Sequence, residues 1–248
     1  MLMHPVALDV YGTLVDPLSI ADALRETAGV RAEPAASLWR QKQVEYAFRR
    51  AAMRVFVPFE VCAEQALDFV VAKLAIPFSL AARSRVLESM RRLPAYPDVR
   101  SGLLRIRAQD RRCVAFSNGS SDVLLETLEA AGLLELLDDV VSVAEIGALK
   151  PDPAVYGHVS SRLHRDARDV WLISGNSWDV LGAKSAGLRG AWLDRSSEEV
   201  FDPWGVSPDV AGRTLPDVVE RISRADAEHG GTDLGDDDAL VVRKPPWG

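Results

Sequence analysis

Cysteine is scarce. The 248 residues include two, Cys62 and Cys113, and neither has a partner at CxxC spacing, so a disulfide framework is excluded. Long apolar runs are also missing, and none approaches the roughly 20 residues needed to span a bilayer. Positive charge is in deficit, with 29 basic residues against 36 acidic for a net charge of −7. That balance argues against nucleic acid or an anionic membrane as the main partner. Asp9 arrives too early for a signal peptide, so none is expected. These absences predict a reduced, soluble, cytoplasmic protein. What is present is ordinary globular composition, 48% hydrophobic and 26% charged. The length allows one good core with a smaller satellite domain.

The acidic surplus is unevenly placed. Residues 225–248 hold Asp226, Glu228, Asp233, Asp236, Asp237 and Asp238 against Arg243 and Lys244, so more than half of the net charge lies there. Rich in glycine and poor in periodic apolar residues, the segment reads as a mobile acidic tail. Asp236, Asp237 and Asp238 lack the spacing and closing Glu of an EF-hand, which leaves a solvated tail as the expectation.

Short apolar runs recur at 6–10, 113–116, 140–143, 170–173 and 190–193, as in strands buried on both faces of a parallel sheet. Helix-period stretches at 98–108, 121–131, 153–163 and 178–186 alternate with them. The alternation predicts an α/β fold with a doubly wound parallel sheet. One interval breaks it. Residues 17–93 contain no convincing strand but amphipathic stretches at 37–53, 59–74 and 79–92, punctuated by Pro58, Pro77 and Pro94. A helical domain inserted after the first strand explains this interval better than a second domain in series.

Ligands of open parallel sheets bind beyond the carboxyl ends of the strands. At those positions stand Asp9 to Thr13, Ser117-Asn118-Gly119, Lys150-Pro151-Asp152 and Ser174 to Asp179. Singly, Asp9, Ser117, Lys150 and Asp179 read as caps, turn residues or surface charges. All four at successive strand ends point to one shared mouth. Other chemistries fit poorly. None of the four histidines lies in these loops, so neither a Ser-His-Asp constellation nor a histidine-based zinc site is supported. Gly175-Asn176-Ser177-Trp178-Asp179 lacks the final glycine of a nucleophile elbow. No Walker loop or GxGxxG follows the first strand. The remaining nucleophile is the Asp9 carboxylate.

These four segments resemble the four motifs of the haloacid dehalogenase superfamily, in the same order and with similar spacing over about residues 7–222. Most members are phosphatases with a second Asp two residues after the nucleophile; here that position is Tyr11. The segment Trp39-Arg40-Gln41-Lys42-Gln43-Val44-Glu45-Tyr46 closely resembles the corresponding segment of the L-2-haloacid dehalogenases (type II). The resemblance implies a Rossmann-like catalytic core over 1–16 and 94–224, with a helical cap over 17–93.

It also implies a reaction. Tyr11 removes both the carboxylate ligand that Mg²⁺ favours and the acid that protonates a leaving alcohol. Halide needs no proton, so carbon–halogen displacement survives without metal or cofactor. Asp9 would attack the halogen-bearing carbon of a short (S)-2-haloacid, and water would hydrolyse the resulting ester to an (R)-2-hydroxyacid. By resemblance, Lys150 orients Asp9 and keeps it ionised, and Asp179 activates or positions the water. Ser117, Val10 and backbone amides near Asp9 receive the substrate carboxylate. Arg40, Asn118 and Trp178 cradle the halide. Tyr11, Gln41, Val44, Phe59, Tyr156, Ser174 and Asn176 match further pocket positions.

Without that context, Arg40 would read as a solvated charge, and Phe59, Tyr156 and Trp178 as packing residues. Trp39 and Tyr46 look like core, and Cys62 and Cys113 like inert small hydrophobes. A Mg²⁺-dependent phosphatase and an inactive binding homologue are the competing readings. The first is opposed by Tyr11, the second by the joint presence of Asp9, Lys150 and Asp179. Members of the family are often homodimers, but no patch in the sequence identifies an interface.

Overall fold

Val6-Ala7-Leu8 is apolar at every position, and the strand it forms is buried on both faces, as a central strand covered by helices must be. The computed structural model describes residues 3–196 and 199–230. Its sheet has six strands: β1 (Val6–Leu8), β2 (Cys113–Ser117), β3 (Asp139–Ser142), β4 (Trp171–Ser174), β5 (Arg189–Leu193) and β6 (Val210–Gly212). All neighbours run parallel, in the order β3-β2-β1-β4-β5-β6. In register, Val6 pairs with Cys113 on one side and Trp171 on the other. The chain winds outward from β1 through β2 to β3, then returns to the opposite side of β1 as β4. The winding direction therefore reverses between β1 and β4, and the crevice at their carboxyl ends is the expected ligand site.

The first four α-helices after β1 are α1 (Ile20–Ala28), α2 (Ala32–Met53), α3 (Phe59–Lys73) and α4 (Leu80–Ser89). They form the inserted helical cap. Pro58 precedes α3, and Ser79 caps α4 by accepting from the Ala82 amide at 3.1 Å. Trp39 on α2 is buried and donates from Nε1 to the Ala63 carbonyl on α3 at 2.9 Å, pinning the two helices together. Tyr46, one heptad on, is half-buried against the core.

The remaining helices flank the sheet: α5 (Val99–Ala108), α6 (Ser121–Ala130), α7 (Pro153–Leu163), α8 (Ser177–Ser185) and α9 (Leu215–Gly230). Asp152 and Pro153 start α7 as N-cap and first-turn residue, the cap accepting from the Ala154 amide at 2.9 Å. The motif Lys150-Pro151-Asp152 thus splits its duties, with its aspartate spent on a helix start.

Two expectations need correction. β1 ends at Leu8, not at Val10, so Asp9 and Val10 belong to the turn that follows. Residues 225–230 are not tail: α9 continues to Gly230, and Asp226 is buried. Asp226 accepts from Arg111 at 2.7 Å, Trp171 Nε1 at 3.0 Å and Arg189 at 2.9 Å, and pairs with His4 Nδ1 at 2.9 Å. These partners flank the amino ends of β1, β2, β4 and β5, so Asp226 ties α9 to the sheet end opposite the ligand crevice. The rest of the proposed tail, 231–248, lies outside the described residues. β6 was not expected from sequence either; Val210-Ala211-Gly212 is a short edge strand with no apolar run to announce it.

Candidate active site

The turn after β1 is wound tightly. The Val10 carbonyl accepts from the amides of Thr13, Leu14 and Val15, and Gly12 takes a φ of +90° that favours glycine. The loop after β4 lies against it: a Cβ on Gly175 would come within 2.4 Å of the Gly12 carbonyl oxygen. Two glycines therefore let the two loops meet at the crevice.

Asp9, nearly buried, is held at the centre of this junction. Its Oδ2 accepts from Thr13 Oγ1 at 2.9 Å, Asn176 Nδ2 at 2.7 Å and Ser174 Oγ at 3.3 Å. Its Oδ1 accepts from Lys150 Nζ at 3.1 Å. The same ammonium donates to Asp179 Oδ2 and the Phe116 carbonyl, each at 2.9 Å, and lies 4.1 Å from the Phe116 ring centroid. Tyr156 donates its hydroxyl to Asp179 Oδ1 at 2.8 Å. Lys150 is thus a buried cation shared between two carboxylates.

The electrostatics follow from burial. Desolvation pushes the Asp179 carboxyl above the ordinary aspartate value, and the charge of Asp9 adds to the rise. Lys150 and the Tyr156 hydroxyl oppose it. Burial, then Glu60, raises the Tyr11 phenol well above the ordinary tyrosine value, so Tyr11 is neutral. Burial lowers Arg40, against the pull of Asp9; an arginine so placed stays charged.

A small cavity opens on Asp9, lined also by Tyr11, Arg40, Val44, Ala47, Phe48, Phe59, Ser117, Asn118 and Trp178. Arg40, Val44, Ala47 and Phe48 sit at i, i+4, i+7 and i+8 on α2, the spacing of one helix face. The Arg40 guanidinium crosses from cap to core, donating to the Tyr11 carbonyl at 2.9 Å and approaching Asn176 Oδ1 at 3.5 Å. Phe48 meets Trp178 edge to face, ring centroids 4.9 Å apart, and Tyr11 meets Phe59 at 5.8 Å. Among the described residues, no three His, Cys, Asp or Glu side chains cluster as they would around a metal ion.

This arrangement has known relatives. The family model for haloacid dehalogenase-like hydrolases matches residues 5–187. The chain is a haloacid dehalogenase-like hydrolase. It is 31% identical to the (S)-2-haloacid dehalogenase of Pseudomonas sp. (strain YL) over 220 residues, 89% of this chain and 94% of that protein. It is 34% identical over 196 residues to (S)-2-haloacid dehalogenase 1 of Pseudomonas sp. (strain CBS-3), covering 78% of this chain and 86% of that protein. The solved structure of L-2-haloacid dehalogenase from Xanthobacter autotrophicus, with chloropropionic acid covalently bound, superposes with a TM-score of 0.81. That match covers 90% of this chain and 99% of the other at 28% identity.

In this haloacid dehalogenase-like hydrolase, the residues singled out from sequence divide into three groups. Asp9, Tyr11, Arg40, Val44, Phe59, Ser117, Asn118 and Trp178 line the cavity. Lys150, Tyr156, Ser174, Asn176 and Asp179 stand behind Asp9 in one hydrogen-bonded cluster. Asn118 also reaches back, its Oδ1 accepting from the Lys150 amide at 2.8 Å. Two residues fall outside both groups. Val10 turns its side chain into the core and offers only its backbone. Gln41 is exposed and does not line the cavity, because one residue along a helix rotates a side chain by roughly 100° from Arg40.

Thr13 was missed. Its hydroxyl donates to Asp9 and accepts from the Gly175 amide at 2.9 Å, joining Asp9 to the β4 loop. Arg195 supports it from outside, donating to the Thr13 carbonyl at 2.9 Å. A hydroxyl four residues after the carboxylate, with a glycine between to turn the chain, was the available signal.

Proposed function

We propose that this enzyme hydrolyses the carbon–halogen bond of short (S)-2-haloacids to (R)-2-hydroxyacids through a covalent ester on Asp9, without a metal. The observation that carries the reading is the Asp9 carboxylate, held at a small cavity with Lys150 behind it and the neutral phenol of Tyr11 where a phosphatase would place a second carboxylate. Oδ2 accepts three hydrogen bonds and Oδ1 one, so Oδ1 keeps a lone pair for attack. A buried, pre-oriented carboxylate facing a bound substrate gains from proximity.

Asp9 attacks C2 from the face opposite the halogen, and halide leaves toward Arg40, Asn118 and Trp178. Ser117 and backbone amides of the turns that follow Asp9 and Ser117 receive the substrate carboxylate. Water then attacks Cγ of the Asp9 ester, and the ester bond breaks between Cγ and the bridging oxygen. That oxygen leaves as the 2-hydroxyl of the product, which returns Asp9 as a carboxylate. Asp179 is the remaining carboxylate beside Asp9, and its burial-raised proton affinity suits it to receive the water's proton. Arg40 and Lys150 give an anionic substrate local positive charge despite the net charge of −7. The same reading places the enzyme in the cytoplasm, in keeping with its two free, buried cysteines.

The test is halide release from (S)-2-chloropropionate in EDTA, with Asp9→Asn alongside. The expected result is stoichiometric chloride from the wild type and none from the variant. No halide from chloro-, bromo- or fluoro-substituted acids, or phosphate release dependent on Mg²⁺, would overturn it.

A further inference from the structure

Cap and core also meet at a hydrogen bond that the mechanism above does not use. Glu60, the second residue of α3, accepts at Oε1 from the backbone amide of Ser120 at 3.0 Å. Ser120 is the N-cap of α6, and its own hydroxyl makes no capping bond. One of the amides left open at a helix start is therefore satisfied from the cap, by a carboxylate facing the positive end of the α6 dipole.

Both ends of this bond adjoin the catalytic cavity. On the cap side, Phe59 precedes Glu60; on the core side, Ser117 and Asn118 lie just before Ser120, and all three line the cavity. Beyond the Tyr11–Phe59 ring pair lies a separate cleft of about 290 Å³, lined in part by Glu60, Glu64, Glu88 and Arg91. That volume holds several waters, so the ring pair is a partition between solvent and the reacting carboxylate. Glu60 stands at its edge.

We propose that Glu60 is a positioning residue that couples cap closure to carboxylate binding. From the cap it fixes the turn 117–120 that receives the substrate carboxylate, and it holds Phe59 against Tyr11 to seal the cavity. This rests on the dehalogenase reading. Losing the bond frees the turn and the first residues of α3 together. Binding then suffers more than the chemical step, because Asp9 keeps its own hydrogen bonds.

The test is steady-state halide release from (S)-2-chloropropionate by the full chain, with propionate, the substrate lacking its halogen, as competitive inhibitor. Glu60→Ala is expected to raise KM and the propionate Ki about tenfold, the scale of a lost hydrogen bond to a charged group, with kcat within about threefold of wild type. Glu60→Gln keeps an acceptor and is expected to restore both constants. Should Glu60→Ala fail to fold, Glu60→Asp withdraws the charge by one methylene, and the same KM-selective loss is expected. Arg91→Ala is the control. It removes another cap–core link, the 2.7 Å pair with Glu126 on α6, and is expected to leave KM unchanged. An unchanged KM in Glu60→Ala or Glu60→Asp, no recovery in Glu60→Gln, or an equal rise in Arg91→Ala overturns the positioning role alone. Absence of halide from the wild type overturns the dehalogenase reading itself.

Discussion

Replacing Lys150 with Met keeps most of the side-chain volume and removes the charge on which the site is built. Nζ lies 3.1 Å from Asp9 and 2.9 Å from Asp179, and the residue is 1% exposed. At an effective dielectric of about 20, each pair carries roughly 5–6 kcal/mol of Coulomb attraction before the desolvation of the ammonium is subtracted. Desolvation offsets several kcal/mol of this, and breaking a buried ion group by removing one partner costs about 3–5 kcal/mol net. For a chain of this size that lowers Tm by roughly 6–20 °C. The loss carries a pH signature. Burial already pushes Asp179 up, and Lys150 is the main influence holding it down. Without Lys150 its folded pKa rises further, so the native protein binds a proton that the unfolded chain has released. Stability of the variant then falls as pH rises through that raised value, and its deficit against wild type narrows toward acid. Urea unfolding of both proteins at about pH 5 and about pH 8 reads this directly. A deficit of equal size at both pH values, or no deficit, would refute the shared-cation arrangement.

Thr13→Val removes the hydroxyl linking Asp9 to the Gly175 amide while preserving shape; kcat for halide release is expected to fall about tenfold or more, given the sensitivity of displacement to small misplacements. Tyr156→Phe deletes the 2.8 Å hydrogen bond that favours charged Asp179, so the acid limb of the kcat profile moves to higher pH. At Asp226, burial opposes ionisation, but hydrogen bonds from His4, Arg111 and Trp171 outweigh it and hold the carboxyl below its ordinary value. Its contribution to stability is therefore present above the ordinary carboxylate range and lost as pH falls through the lowered value. Asp226→Ala strands the fully buried Arg111 side chain; about 3–5 kcal/mol of unfolding free energy is expected to disappear, with kcat/KM of the folded enzyme unchanged.

Legibility in the sequence followed the strands. Asp9, Ser117 and Ser174 could be placed because each closes or follows an apolar run, and the parallel-sheet rule sends such positions to one mouth. Lys150 and Asp179 were found in the same way, although their bond to each other, and that of Tyr156 to Asp179, depends on where α7 and α8 pack. Thr13 sat in the quoted motif but received no role, since only the fold of the turn shows its hydroxyl returning to Asp9. Phe48 was invisible as a cavity residue because an aromatic on a long cap helix reads as packing. Gln41 was misplaced by carrying over a motif position without the helix rotation. Asp226 illustrates the converse: its acidic, glycine-rich surroundings suggested a solvated tail, and only tertiary contact with Arg111, Arg189, His4 and Trp171 makes it structural.

The covalent role of Asp9 is tested most directly by a single turnover of (S)-2-chloropropionate in ¹⁸O-water with enzyme in excess, followed by mass spectrometry of the peptide containing Asp9 and of the lactate. An ester intermediate hydrolysed at Cγ places ¹⁸O in the Asp9 carboxylate and leaves the first lactate unlabelled. Label in the lactate hydroxyl with none in Asp9 would mean that water attacks the substrate carbon itself, and would contradict the mechanism.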